Sequence, residues 1–273
     1  MPSSTLTAIL ATLALVLPGV SAADSPPEPV GARSCLERPL PKRSSAQTLR
    51  IHSLEGDEIS TTITARVLWK RLEDGRHGGL IRLLDPPEVA GMSALVRERE
   101  TGSVLAEGAR GTEIFLYLPE LRRVRRVSVH QATASLFGTA FSYADFDRVQ
   151  GHAMASHVRS RGSVRHEGRR AYRVEAEPPA ADALPYTKIS SWIDAETCLP
   201  LRVEYYDSTG ALAKVLVARP KDFERVNGIW IARSITMHSL ADGVESRLDI
   251  ESIEIDQALP EKAFAPANLA DEY

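Results

Sequence analysis

The chain has 273 residues, 43% of them apolar and 25% charged, with a net charge of −3. That composition is ordinary for a folded soluble protein, and the near-neutral charge argues against a nucleic-acid partner. Aromatic residues make up only 6%, so the few large rings matter for placing the core.

Leu6 to Val20 is a nearly continuous apolar run without charge. It is shorter than the ~20 residues a membrane-spanning helix needs. Val20, Ser21 and Ala22 supply small residues for cleavage before Ala23, so residues 1–22 read as a secretory signal peptide. An uncleaved anchor is the alternative. No Cys follows the run at once, so the chain does not look like a lipoprotein, and no other segment could span a bilayer. Residues 23–45 are rich in Pro, Ser and Arg and read as an extended arm. The even count of two cysteines, Cys35 and Cys198, suggests a disulfide in an exported chain. Two separate buried thiols are the alternative.

From Gln47 onward, residues 46–273 read as one β-rich domain. Leu49, Ile51 and Ser53 alternate with polar neighbours up to the turn at Gly56. Ile63, Ala65, Val67 and Trp69 form a period-two face, and Leu80 to Leu84 returns towards Pro86-Pro87. Met92 to Val96 and Ser103 to Ala106 are weaker strands. Ile114 to Leu118 places Ile114, Leu116 and Leu118 on one face and Phe115 and Tyr117 on the other. Neither face is polar, so the strand expects apolar cover on both sides, and Pro119 ends it.

Four arginines follow: Arg122, Arg123, Arg125 and Arg126. They open a basic stretch, Leu121 to Arg170, with 10 Arg against 3 Asp/Glu. Phe137 to Phe141 makes an aromatic turn. Ser142-Tyr-Ala-Asp145 reads as a capping box, the Ser142 hydroxyl accepting a backbone N–H while Asp145 reaches back. Residues 153–162 are ambiguous between helix and strand. Ser163 to His166 and Ala171 to Ala176 read as a hairpin. Tyr186 to Ile193, Leu199 to Tyr206 and Lys214 to Ala218 are strands in turn. Lys221 to Val226 and Ile229 to Met237 form a hairpin around Asn227-Gly228, the strongest such signal in the chain. The apolar parity shifts from Leu248 and Ile250 to Ile253 and Ile255, which predicts a bulge near Glu251-Ser252. The segment Leu259 to Leu269 is a cap or short helix. The sum is about ten antiparallel strands, a sandwich or barrel. The C-terminal stretch from Ala241 has 9 Asp/Glu against 2 Lys/Arg, opposite in sign to the basic stretch.

No residues carry an enzyme's signature. His52, His77, His130, His152, His157, His166 and His238 show no metal-ligand spacing, and there is no nucleophile elbow or phosphate-cradling loop. The sequence therefore predicts no catalytic residues, no metal and no cofactor.

Phe115-Leu-Tyr-Leu-Pro-Glu-Leu-Arg-Arg-Val-Arg-Arg-Val127 and Phe137-Gly-Thr-Ala-Phe-Ser-Tyr-Ala-Asp-Phe146 resemble the LolA-like family of outer-membrane lipoprotein-sorting proteins. Val67-Leu-Trp-Lys-Arg71, Tyr186-Thr-Lys-Ile189, Trp192-Ile-Asp194, Val203-Glu-Tyr-Tyr-Asp207 with Gly210, Gly228-Ile-Trp230, Phe264 and Leu269 support it. The resemblance implies an unclosed antiparallel β-barrel wrapped round short plug helices, an apolar cavity for acyl chains, and a periplasmic setting. It also implies, for some members, work with an inner-membrane transporter of the RND type. The chain departs from the family at Ala140 and Ala144, where acidic residues are usual.

Burial of an acyl chain is worth ~0.8 kcal/mol per CH₂, and a half-open barrel can supply it. The expected lining is Trp69, Phe115, Tyr117, Phe137, Phe141, Tyr143, Trp192, Tyr205, Trp230 and Met237, each equally at home in ordinary core. Arg122, Arg123, Arg125 and Arg126 form an expected basic docking face for lipid phosphate or a transporter, with a solvated hairpin as the plainer account. The expected function is a periplasmic carrier of lipids or lipoproteins. The rival is an accessory subunit that docks to an RND-type envelope transporter and carries nothing.

Overall fold

The computed structural model describes residues 30–36, 43–56, 58–98, 112–127, 135–143, 145, 157–178 and 186–271. The expected signal peptide, the prolines of the arm and the strand expected over Ser103 to Ala106 lie outside them, as does Ala144.

The arm is not extended throughout: Val30–Leu36 forms helix α1. Fifteen strands follow among the described residues. They are β1 (Ser44–Glu55), β2 (Glu58–Arg71), β3 (His77–Asp85), β4 (Ser93–Glu98), β5 (Thr112–Leu118), β6 (Arg123–Val127) and β7 (His157–His166). Then come β8 (Arg169–Glu177), β9 (Tyr186–Asp194), β10 (Pro200–Asp207), β11 (Leu212–Ala218), β12 (Phe223–Val226), β13 (Ile229–Ala232), β14 (Ser234–Ser239) and β15 (Val244–Ile255). Thirteen share one antiparallel sheet in the order β6-β5-β4-β3-β2-β1-β15-β14-β11-β10-β9-β8-β7. Its two ends, β6 and β7, are not paired with each other, so the barrel is unclosed. Two of the strands beyond the expected ten have a plain origin. The arginine-rich segment after Pro119 is itself an edge strand, and the segment expected as one strand over Ile229 to Met237 breaks at Arg233 into β13 and β14. β12 and β13 form their own two-stranded sheet around Asn227 and Gly228, both at positive φ as a tight hairpin turn requires.

The sheet must curl. Tyr143 lines a recess with Leu116 of β5, and Asp145, two residues on, bonds Lys214 of β11. Seven strand spacings of ~4.8 Å would hold β5 and β11 over 30 Å apart in a flat sheet, yet one buried cluster joins their inner faces. That cluster fills the concave face with Leu49, Ile51, Val67, Ile81, Ile114, Leu216, Met237 and Leu248, and residues 136–143 plug it. The bulge is where the parity shift predicts it: Thr48 pairs with Ser252 and Leu49 with Ile250, leaving Glu251 unmatched.

A second cluster lies on the convex face of β1–β5. There the C-terminal tail turns through two short 3-10 segments and packs Ala263, Phe264 and Leu269 onto Leu68, Leu80 and Leu95. A Cβ on Gly78 would stand 2.8 Å from the Phe264 ring, so glycine is what lets the tail lie this close. A third cluster seats α1 on Tyr172 and Val174 of β8. The Cys35–Cys198 disulfide, S–S 2.03 Å, ties α1 to the β9–β10 turn across 163 residues of sequence. Closing so long a loop contributes ~2–4 kcal/mol in typical cases.

Candidate functional site

The plug is built by local chemistry. Phe137 and Gly138 both take positive φ, turning the chain so that Leu136 N–H donates to Phe141 O at 2.6 Å. The Thr139 hydroxyl donates to Leu136 O within the same turn. The capping box is formed reciprocally: Asp145 N–H donates to Ser142 Oγ at 3.1 Å, and Ser142 N–H donates to Asp145 Oδ2 at 2.9 Å.

Asp145 is fully buried. Lys214 Nζ, from β11, lies 2.8 Å from Asp145 Oδ2 and also donates to Ala140 O at 2.9 Å. The Tyr186 hydroxyl points at Asp145 Oδ1 from 3.4 Å, and Ser246 Oγ accepts the Ala140 N–H. Three strands thus grip the plug by its backbone and its one carboxylate. A buried ion pair is tolerable only when its remaining polar atoms are satisfied, and the Ser142 N–H and Tyr186 do that here. Ala140, where an acidic residue was expected from the resemblance, contributes through its backbone only.

Next to the plug is a recess of about 200 Å³ between β5, β6 and Tyr143. Leu116, Leu118, Val127 and Tyr143 form its apolar wall, and Ser135, Arg125 and Arg126 also line it. Burial pushes the Tyr143 phenol above its ordinary pKa. Phe137 meets the Tyr143 ring edge-on at 6.1 Å. A larger, open recess of about 440 Å³ lies at the far end, beside Arg169, Asp194 and Glu196. Charged side chains, Arg170 among them, line most of it, and Arg169 is already bonded to both carboxylates.

The ten residues expected to line one cavity do not do so. Phe137, Phe141, Tyr143, Tyr205 and Met237 are on or against the concave core. Trp69 is buried at the other end of β2, stacked on His77 at 5.7 Å. Phe115 and Tyr117 are on the convex face, packed against the cluster that holds the tail, because strand parity opposes them to Leu116 and Leu118. Trp192 is opposite Arg173 and Arg202, on the face away from α1, with the Arg173 guanidinium 5.3 Å above its ring. Trp230 is half-buried on the small β12–β13 hairpin.

The four arginines do not form one face either. Arg123 and Arg125 pair with Leu118 and Leu116, whereas Arg126 pairs with Phe115 on the opposite side and bonds Glu113 at 2.9 Å. Arg122 sits in the turn at φ 47°.

Sequence reasoning missed Lys214 and the lining role of Leu116, Leu118 and Val127. Lys214 had a signal: it shares parity with Leu216 and Ala218, so it is the one charge on an apolar inward face.

A family profile described as "Uncharacterized protein" matches residues 75–271. No curated protein matches the chain. Among solved structures, a domain from Vibrio parahaemolyticus named for outer membrane lipoprotein sorting is 23% identical, with a TM-score of 0.74 over 88% of this chain and 97% of that one. A DUF1329 family protein from Desulfovibrio piger is 22% identical, TM-score 0.74, over 88% and 95%. A LolA superfamily protein from Nitrosomonas europaea is 20% identical, TM-score 0.65, over 86% and 97%. At these identities the likeness establishes the fold.

Proposed function

We propose, for a chain that belongs to the family of uncharacterized proteins matched over residues 75–271 and has a LolA-like fold, that it is a periplasmic, non-catalytic carrier of lipid or lipoprotein acyl chains. The observation that carries this reading is the recess beside the plug, apolar on the side of Leu116, Leu118 and Tyr143 and flanked by Arg125. An acyl chain with an anionic head matches that pairing: hydrocarbon buried against the leucines, phosphate near the guanidinium. The names of the Vibrio and Nitrosomonas structures agree with it.

The recess of about 200 Å³ is little larger than the ~150 Å³ that holds a benzene ring. It shelters one end of a hydrocarbon tail. A full chain needs the plug to move, and the Lys214–Asp145 grip sets how readily it does. The rival accessory role would use the β5–β6 arginines, of which Arg123 and Arg125 share a side of β6 while Arg126 is turned away onto Glu113. Lipid identification by mass spectrometry on protein purified from a lipid-containing host tests the carrier: about one acylated molecule per chain is expected. A protein that stays empty with every envelope lipid offered overturns the reading.

A further inference from the structure

The large apolar side chains that are exposed among the described residues are Ile59, Leu84, Leu121, Val124 and Leu240. All lie at one end of the sheet. The register shows why: the β1–β2, β3–β4, β5–β6 and β14–β15 turns are on the same rim, since Leu54 pairs with both Ile59 and Glu245, Thr64 with Asp85, and Ser93 with Tyr117. The opposite end, with α1 and the disulfide, carries none of the five.

The rim is not uniform in charge. Glu55 and Glu58 flank the β1–β2 turn near Ile59, and Asp242 and Glu245 follow Leu240. Among the described residues of this rim, the β5–β6 tip joins exposed apolar groups to an excess of positive charge, four arginines against Glu120, while Leu84 is followed by the exposed Asp85 and Glu88. Leu121 is 59% and Val124 39% exposed, and they alternate with the exposed Arg122, Arg123, Arg125 and Arg126. Arg122, Arg123 and Arg125 have no carboxylate partner among the described residues, whereas Arg126 is held by Glu113. The tip is a built feature. Pro119–Leu121 forms a 3-10 turn closed by the Arg122 N–H on Pro119 O, and a Cβ on Gly91 would lie 3.5 Å from the Pro119 ring. The β3–β4 turn therefore braces it.

We propose that the β5–β6 tip docks the protein onto an anionic phospholipid bilayer, with Leu121 and Val124 entering the headgroup region and Arg122, Arg123 and Arg125 meeting lipid phosphates. Apolar side chains on a basic protrusion are what a charged membrane surface takes up. The carboxylates by Ile59 and Leu240 are repelled by the same surface, so the contact is confined to this corner of the rim. The recess opens beside it, walled by strands of the same hairpin. The docking goes beyond the carrier reading and does not rest on it.

The test is co-sedimentation of the purified protein with vesicles of 30% phosphatidylglycerol in phosphatidylethanolamine, and with vesicles of phosphatidylcholine alone. Binding to the anionic vesicles is expected to fall on raising salt. Each arginine is worth about fivefold, so Arg122→Gln with Arg123→Gln is expected to weaken it more than tenfold. Leu121→Ser is expected to weaken it about tenfold, while Leu240→Ser leaves it unchanged. These side chains are exposed, and an unchanged melting curve confirms that each variant folds. Equal binding to neutral vesicles, or indifference to the tip variants, overturns the proposal. So does retention by native membranes but not by protein-free anionic vesicles, which would assign the tip to a protein receptor. Loss of docking with bound lipid still present would leave the carrier reading intact, because Leu121, Arg122 and Arg123 do not line the recess.

Discussion

Strand β5 is apolar on both faces, and the two faces are finished differently. Phe115 and Tyr117 pack against a cluster that holds Phe264 and Leu269 from the chain's own tail. Leu116 and Leu118 meet the plug and a gap. The same residue types thus serve structure where the tail supplies the cover, and on the proposed function they serve cargo where it does not. Large rings made Phe115 and Tyr117 the natural candidates for a ligand, but the partner across the strand decides, and it favours the leucines.

The difference can be broken from the tail side first. Phe264→Ala removes the ring that rests on Gly78 and is expected to destabilise the protein by about 3–5 kcal/mol in denaturant unfolding, without changing how much lipid the folded fraction binds. Next is the plug side. Lys214→Met leaves the buried Asp145 carboxylate without its cation and is expected to cost about 2–3 kcal/mol, since the Ser142 N–H remains. Adding Asp145→Leu should restore part of that loss, because the uncompensated charge is then gone. A Lys214→Met protein as stable as the parent would mean that the grip contributes nothing.

The smallest effect separates the faces by pH. Glu261 is held below the usual carboxylate range by the Lys70 ammonium and the Glu73 N–H. Its folded pKa lies beneath the unfolded one, so its contribution is present above the ordinary glutamate value of about 4.3 and lost as pH falls through the folded value. Tyr143 is the opposite case: burial raises its pKa, so its contribution is present below about 10 and lost as pH rises through the higher folded value. Acid should loosen the tail and alkali the plug. Amide exchange over 259–269 and 136–143 reads the two, with Glu261→Gln and Tyr143→Phe each abolishing one trend.

Much of this was legible in the residues. The two-sided character of 114–118, the Ser142–Asp145 reciprocity, the hairpin at Asn227-Gly228 and the bulge at Glu251 all follow from spacing within a few residues, and the structure has each of them. The pairing of Lys214 with Asp145 was hidden because the two are 69 residues apart, and spacing says nothing across such a distance. Strand β6 was hidden because four arginines mask the alternation of an edge strand, where charge is the usual defence against further pairing. Trp192 was misplaced because its size was weighed above its parity with Arg173 and Arg202.

Native mass spectrometry of two single variants tests the central claim most directly. Leu116→Asp puts a charge in the recess, and Tyr117→Glu puts one on the tail face one residue away. The carrier account predicts bound lipid on the parent and on folded Tyr117→Glu, and an empty Leu116→Asp. Lipid retained by Leu116→Asp, or lost only from Tyr117→Glu, would contradict it.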